Sequence, residues 1–455
     1  MAAEFQQRMR HGGGNVINSG MPNFVRRFAV PVLLSGALAV SLGAQTLTPS
    51  EKRLRDWVAS HREEQIGFLE RMVNIPSGTL NVAGVQAVGA LYRAELDALG
   101  FTTRWVEMPA RMQRGGHLVA ERIGKKAGRT PKRMLLIGHF DTVFEGEGQK
   151  FVRTDSIARG AGTNDMKGGD SVLLFALKAL AAHGLLDAMH ITIVITGDEE
   201  STGRPLDVAR AALIDAAKRS DVALSFEGGS RTLASISRRG ASNWRLTVTG
   251  RQAHSAGVFG SNYGAIYETA RILNSFREQL VGAPGLTFNP GFIVGGTEVI
   301  PDTSGYTFTV SGKTNIISPV TMVRGDLRFV TEEQKEKARA VMRGIVAKSL
   351  PGTSAEITFD DSYPAMPVTA AGEALLARYD SASRALGYPP VRAMDAANRG
   401  AGDLSFVAPY IPGLDGMGSL GSGAHSPQES VHLPTLEMQT ARAAVLMVRL
   451  AGIRK

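Results

Sequence analysis

Five short clusters of acidic and imidazole residues carry the chemistry this sequence is able to do. Gly138-His139-Phe140-Asp141-Thr142 sets an imidazole two positions before a carboxylate. Residues at i and i+2 of an extended segment share a face, so Asp141 is able to accept the hydrogen bond of the ring nitrogen that does not face a metal. Gly160-Ala-Gly-Thr-Asn-Asp165-Met-Lys-Gly-Gly169 is a glycine-rich strand-to-helix turn that exposes Asp165 where two ions can share its carboxylate. Thr196-Gly-Asp198-Glu199-Glu200-Ser-Thr-Gly203 puts three carboxylates in a row. Such a row is mutually repulsive unless cations or protons neutralise it. Phe226-Glu227-Gly-Gly and Gly423-Ala-His425-Ser-Pro-Gln-Glu429 complete the set.

Taken singly, each cluster also reads as ordinary structure: a polar pair, a helix-capping aspartate, a solvated acidic loop. Taken jointly, two His and several carboxylates suit two divalent cations bridged by one carboxylate. The chain has no Cys, which excludes disulfides, thiolate catalysis, zinc fingers and iron–sulfur clusters and leaves imidazole and carboxylate as the only metal ligands. That oxygen and nitrogen donor set fits zinc best, with cobalt or manganese as substitutes.

The elements that must position these clusters follow from periodicity. Glu51 to Val73 and Val82 to Leu99 read as amphipathic helices, the second capped by Gly100. Apolar strands Met134–Gly138, His190–Thr196 and Val222–Phe226 alternate with helices Gly168–His183 and Asp207–Ala217. Near-continuous apolar strands of this kind belong to an α/β sheet covered by helices on both faces, which binds ligands beyond the carboxyl ends of its strands. From about Arg239 the rhythm changes to half-buried alternating strands, Asn243–Thr249 and Thr321–Phe329, with helices Tyr263–Leu280 and Glu332–Leu350 and a strand near Ala355–Phe359. That is a βαββαβ unit, read as an inserted domain over 239–365. It divides a catalytic domain into 51–238 and 366–455, the latter with helices Ala370–Leu386 and Leu436–Ala451.

The chain has 455 residues and a formal charge of +9. Basic residues are scattered, the longest clusters being pairs such as Lys125-Lys126 and Arg238-Arg239, and no aromatic-interleaved basic stripe marks a nucleic-acid partner. Arg26-Arg27 precede an apolar run from Phe28 to Leu42 and then Gly43-Ala44-Gln45, the pattern of a secretory signal over 1–44 with translation starting near Met21. The run is short for a spanning helix, although an uncleaved anchor is the other reading. Loss of 1–44 removes four Arg and one Glu, so +9 becomes +6. The expected destination is a periplasm or the exterior, with no stable membrane association after cleavage.

On these motifs the chain resembles the di-zinc exopeptidases that include bacterial glutamate carboxypeptidase of the carboxypeptidase G type, aminoacylase and succinyl-diaminopimelate desuccinylase. The resemblance spans 55 to 450 and includes the domain insertion. It implies a mixed central sheet with helices on both faces and an inserted dimerisation or lid domain. It also implies two zinc ions per subunit, one on His139 and Glu227, the other on Glu200 and His425, with Asp165 bridging. Asp141 would orient His139, and Glu199 would be the catalytic carboxylate. His254, in Gly250-Arg-Gln-Ala-His254-Ser-Ala-Gly257, would reach the neighbouring subunit's site and help hold an oxyanion. Asn315 and Arg328 would receive a substrate carboxylate, although an Arg–Asp pair within the domain is an equal reading for Arg328. The family's bridging aspartate is often followed by a second aspartate, where this chain has Met166, and that turn tends to hold a cis peptide.

The implied activity is hydrolysis of an amide next to a free carboxylate, by a carboxypeptidase or N-acyl-amino-acid hydrolase acting on small peptides or N-acyl amino acids as a homodimer. In the glutamate-releasing members a basic residue precedes a Pro at the end of the inserted domain. The matching place here is Tyr363-Pro364, which argues against strict selection for a C-terminal glutamate. A dipeptidase or aminopeptidase on the same scaffold, or an inactive peptide-binding homologue, are the alternatives.

Overall fold

The computed structural model describes residues 46–126, 132–302 and 307–453. The expected signal region, 1–44, lies outside them. Helix α1 (Pro49–Ser60) starts at a reciprocal cap: the Glu51 amide donates to Thr48 Oγ1 at 3.2 Å and the Thr48 amide donates to Glu51 Oε2 at 2.8 Å. The periodicity predicts one helix over Glu51–Val73. The structure breaks it at His61 into α1 and α2 (Arg62–Val73). Around the break, His61 Nδ1 lies 2.8 Å from the Trp57 carbonyl, Ser60 Oγ donates to the same oxygen at 2.9 Å, and the His61 ring stacks on Trp57 at 3.8 Å. Side chains that compete for a helical carbonyl end the local ladder.

Then come α3 (Val82–Ala98), β1 (Thr102–Val106), β2 (His117–Ile123), β3 (Arg133–His139), α4 (Lys167–Ala182), β4 (His190–Thr196), α5 (Leu206–Ala209), α6 (Ala211–Lys218) and β5 (Val222–Ser225). The helix expected over Asp207–Ala217 is thus two, interrupted at Arg210. After the insertion the chain returns through α9 (Ala370–Ala385) and ends in α10 (Pro434–Leu450). The first sheet has the order β1-β2-β4-β3-β5, closed by the short strand β10 (Gly413–Leu414). Strands β4, β3, β5 and β10 are parallel, while β2 runs antiparallel to β4 and β1 to β2, so the sheet is mixed. Sequence periodicity gives no sign of β1, whose positions are exposed or half-buried, or of β2, whose four buried residues His117–Ala120 are followed by the charged pair Glu121-Arg122.

Alternation along β3 explains why both faces are covered. Met134 and Leu136 pack in a core with α1–α4 and α10, whereas Leu135 and Ile137 pack in a second core with α6 and Leu404–Val407. Each fully buried Leu or Ile contributes roughly 1.5–3 kcal/mol, which is why helices must lie on both sides. Helix α4 is buried over most of its length. Its start is pressed onto the sheet: a Cβ on Gly169 would lie 1.8 Å from the Phe226 carbonyl oxygen. Only glycine lets the Asp165 turn approach β5 so closely.

The inserted domain holds β6 (Gly240–Gly250), α7 (Gly264–Leu280), β7 (Thr287–Gly296), β8 (Val320–Phe329), α8 (Glu332–Val346) and β9 (Thr353–Asp361), followed by α9 (Ala370–Ala385) and α10 (Pro434–Leu450) of the catalytic part. Its antiparallel sheet has the order β7-β8-β6-β9. Trp244, Leu246, Val248, Val323 and Leu327 pack with both helices in a separate core, and the alternate positions Asn243, Arg245 and Thr249 face outward. A hairpin of Glu298–Pro301 and Phe308–Ser311 interrupts the β7–β8 connection and was not visible as strands in the sequence. Among the described residues no helix is long and apolar enough to cross a membrane.

Arg210, wholly buried, fastens the strand-end loop to the rest of the catalytic domain. Nη1 donates to Asp198 Oδ1 at 2.5 Å, Nε to Asp403 Oδ1 at 2.8 Å, and Asp403 Oδ2 accepts from Thr196 Oγ1 at 2.6 Å. Removing one partner of a buried ionic group strands the others without compensation. Arg210→Met is expected to lower stability by about 3–5 kcal/mol, read as a fall in the urea midpoint. A change below about 1 kcal/mol would show that Asp198 and Asp403 are held by other means.

Candidate active site

The clusters read from the sequence meet at the carboxyl edge of the parallel strands. β3 ends on His139, β4 leads to Asp198-Glu199-Glu200, β5 to Glu227, and Asp165 stands just before α4. His425 comes from a distant loop, in the left-handed conformation at φ 63°. A non-glycine residue held there is costly and characteristic of functional sites. The Asp165–Met166 peptide bond is cis.

Donor atoms fall into two groups that share Asp165. His139 Nε2 lies 3.4 Å from Asp165 Oδ1 and 3.6 Å from Glu227 Oε1. His425 Nε2 lies 3.2 Å from Asp165 Oδ2 and 3.1 Å from Glu200 Oε2. Asp165 therefore turns one oxygen to each imidazole. Two donors bound at 2.0–2.2 Å to a tetrahedral ion sit about 3.3–3.6 Å apart, close to the separations found. His139 Nε2 and Glu200 Oε1 are buried with no hydrogen-bond partner. Orphaned donors in an imidazole–carboxylate set at these spacings fit two divalent ions. A third group, His139, Glu199 and Glu200, brings Glu199 to the same place.

Asp141 holds this arrangement from behind. Fully buried, it accepts from Thr79 Oγ1 at 2.7 Å and from the Glu199 and Glu200 amides at 3.0 Å each. His139 Nδ1 hydrogen-bonds the Asp141 carbonyl at 3.0 Å and lies 3.4 Å from its Oδ1. With the Nδ1 proton committed there, Nε2 is free to act as a ligand.

The electrostatics are those of buried carboxylates gathered around two imidazoles. Burial pushes the Glu199 carboxyl well above the usual carboxylate range, and the Glu227 charge pushes it further. Burial and Asp165 drive Glu227 up to about 7. Burial raises Glu200 as well. His425 is raised to about 10 by hydrogen bonds to Asp165 and Glu200. At His139 burial acts downward, but the adjacent Asp141 and Asp165 carboxylates and the Glu227 charge outweigh it and carry the imidazole well above its ordinary value. Asp165 is lowered, since those same imidazoles overcome the effect of burial.

Other supporting groups escaped sequence reasoning. Glu429 accepts from the amides of Gly162, Asn164 and Asp165 at 3.1, 2.8 and 2.9 Å and so shapes the Asp165 turn. Its place four residues after His425 was the available signal. Arg399 donates to the carbonyl of Gly228, next to Glu227, at 2.9 Å, and Arg238 pairs with buried Asp415. No local spacing announces these contacts, which join residues more than 160 positions apart.

The residues proposed for the inserted domain lie elsewhere. His254 is exposed and belongs to none of the donor groups; its Nδ1 accepts from the Ala256 amide at 3.1 Å. Asn315 is exposed too, and its carbonyl accepts from the Ser255 amide at 2.9 Å, so the two segments adjoin. Arg328 Nε is paired with Asp326 at 2.9 Å within its own strand, the intradomain pairing that was the other reading of this residue.

The family model for peptidase family M20/M25/M40 matches residues 135–450. Carboxypeptidase G2 of Pseudomonas sp. strain RS-16 is 27% identical over 450 residues, 94% of this chain and 99% of that protein. A succinyl-diaminopimelate desuccinylase of Acidiphilium cryptum is 27% identical over 365 residues, 78% of this chain and 89% of its own. Among solved structures, aminopeptidase PepT from Bacillus cereus superposes with a TM-score of 0.71 at 18% identity, covering 86% of this chain and 99% of that one.

Metal binding requires neutral imidazoles and ionised carboxylates. With His425 raised to about 10, His139 raised well above its ordinary value and Glu227 at about 7, loading zinc at pH 7 should release about two to three protons per subunit, and affinity should rise with pH towards 10. Calorimetric titration of zinc into metal-free protein, in buffers of different ionisation enthalpy, measures this. A heat independent of the buffer would contradict it.

Proposed function

Since the chain belongs to peptidase family M20/M25/M40 and is thereby a hydrolase, we propose that it is a zinc-dependent carboxypeptidase or N-acyl-amino-acid hydrolase that cuts an amide next to a free carboxylate. The observation that carries this reading is Asp165 turning one oxygen towards each of two imidazole–carboxylate groups, with Glu199 beside them. Two bound divalent ions would lower the pKa of water and polarise the scissile carbonyl. His139 and Glu227 would hold one ion, Glu200 and His425 the other, and Asp165 both.

Glu199 is the residue of this chain that moves the proton. Its carboxylate takes one from the attacking water and returns it to the leaving amine. A carboxyl whose pKa burial has raised is a stronger base than a solvated one, which suits it to the first step. Asp141 keeps Glu199 and Glu200 in register through their amides while orienting His139. Arg328 and Asn315 would receive the substrate carboxylate, with the Arg328 fork exchanging Asp326 for it.

Likeness to carboxypeptidase G2 over most of both chains supports the carboxylate-side reading. A dipeptidase or aminopeptidase is the second reading, favoured by the likeness to aminopeptidase PepT, which is one of fold alone. Blocking the substrate's N-terminus separates the two: N-acylated amino acids are turned over in the first case and refused in the second. Export to a periplasm or the exterior is part of the proposal and is supported by the Arg26-Arg27 and Phe28–Leu42 pattern.

We also propose a homodimer through the inserted domain. His254 is exposed and apart from its own chain's donor groups, while Phe259, Ile266, Tyr267 and Ile293 of the same domain are exposed apolar side chains. His254 would then stabilise the developing oxyanion from the partner subunit.

Glu199→Gln should keep both metals and lower kcat by about 10²–10⁴-fold on a panel of N-acyl amino acids and dipeptides. Full turnover in that variant would remove Glu199 from the mechanism. His254→Ala should lower kcat by about 10²-fold or more without loss of metal, in a protein that sediments as a dimer. A fully active monomer would refute the partner's role.

A further inference from the structure

The proposed base sits on a loop gripped from two sides, and one grip comes from the inserted domain's return linker. Tyr363 Oη donates to the Glu199 carbonyl oxygen at 2.7 Å and lies 2.8 Å from Thr202 Oγ1, which accepts from Arg210 Nη2 at 3.1 Å. The proton directions are determined. A guanidinium has only donors, so the Thr202 oxygen accepts from it; a carbonyl only accepts, so the phenol proton goes to Glu199. The Thr202 proton is left for the phenol oxygen. The chain of bonds runs one way, from Arg210 through Thr202 and Tyr363 to the Glu199 peptide. Arg210 is itself fixed by Asp198 and Asp403.

The other end of Tyr363 belongs to the linker. Its carbonyl accepts from the Ala241 amide at 2.8 Å, and the Ser362 amide donates to the Ala241 carbonyl at 3.1 Å, so the entering and leaving strands of the insertion are paired here. The ring packs against Phe406 of the catalytic domain with centroids 5.1 Å apart. Arg204, just beyond the acidic loop, donates to the Asp361 carbonyl at 2.5 Å. The phenol thus joins the paired entering and leaving strands of the insertion directly to the Glu199 peptide.

We propose that Tyr363 is a positioning residue that ties the orientation of the inserted domain to the placement of Glu199. This rests on the reading of Glu199 as base. It gives the residue before Pro364 a role in the chemical step, separate from any choice among substrate side chains. Tyr363 touches neither donor group; it acts through the peptide that carries the base.

The test uses the full-length, metal-loaded protein and the fastest substrate of the panel above. Tyr363→Phe keeps the ring on Phe406 and removes only the hydroxyl. It should retain both metals and lower kcat by about 10- to 100-fold with KM changed less than about twofold, as expected when a reacting group is misplaced by a fraction of an ångström. Thr202→Val should give the same split. In a Glu199→Gln background, Tyr363→Phe should change the residual rate by less than about twofold, because no base is left to misplace. A loss carried by KM, an unchanged kcat, or an equal further loss in the Glu199→Gln background overturns the proposal. Full activity of Glu199→Gln alone overturns the assignment of the base instead, and the two failures are distinct measurements.

Discussion

Carboxylates of like charge cannot be brought together in a sheltered cleft without something positive between them, and this constraint shapes the catalytic domain. Two unit charges 4 Å apart interact by about 4 kcal/mol at the effective dielectric of a protein surface. Oxygens of Asp165 and Glu200, of Asp165 and Glu227, and of Glu199 and Glu200 lie within 4.8 Å of one another. The fold answers the repulsion in two ways. Carboxylates that serve the scaffold are given arginines: Asp198 and Asp403 share Arg210, and Asp415 has Arg238. Carboxylates of the cleft are given imidazoles and orphaned oxygens, a set that a divalent cation satisfies better than any side chain. Three consecutive residues show the division. Asp198 turns inward to Arg210, Glu199 has its carboxyl raised by burial and by the Glu227 charge, and Glu200 faces His425.

The candidate site was legible in the sequence to the extent that its residues follow strands of unmistakable periodicity. His139, Glu200 and Glu227 lie directly after apolar runs that only a doubly covered sheet would contain, so their convergence could be read without coordinates. His425 and Asp165 were legible through the glycines around them. What stayed hidden was the support: Arg210, Arg238 and Arg399 act across large sequence separations, and nothing in a long side chain's neighbours announces which distant carboxylate or carbonyl it will meet. The same holds for helix ends. The break at His61 comes from side chains competing for the Trp57 carbonyl, a local contest that hydrophobic periodicity does not register.

The inserted domain was legible as an architecture and much less as a participant. Its alternating strands and two amphipathic helices made a βαββαβ reading natural, and the observed sheet order β7-β8-β6-β9 matches it. The roles of His254, Asn315 and Arg328 came from resemblance, and a single chain leaves all three outside the donor cluster, with Arg328 on Asp326. A residue whose work is done on another subunit, or only after a domain rotates, leaves no trace in the packing of its own chain. Tyr363 is the opposite case: its hydroxyl already bridges the two domains.

The way the insertion is spliced in has a further consequence. Arg238 and Met366 exchange both amide–carbonyl hydrogen bonds, at 2.9 and 3.0 Å, so the insertion leaves and re-enters the catalytic domain at adjacent positions of one small antiparallel ladder. Seen from the catalytic domain, the 127 residues of 239–365 have the ends of a tight hairpin. An insertion that folds on its own separate core before the catalytic halves meet converts a long disordered loop into a short one. The loop-closure entropy so avoided is worth about 3 kcal/mol by the logarithmic scaling of loop length. At the splice, the ends of the guest domain hold the two catalytic segments beside one another, the segment ending at Arg238 on the one beginning at Met366.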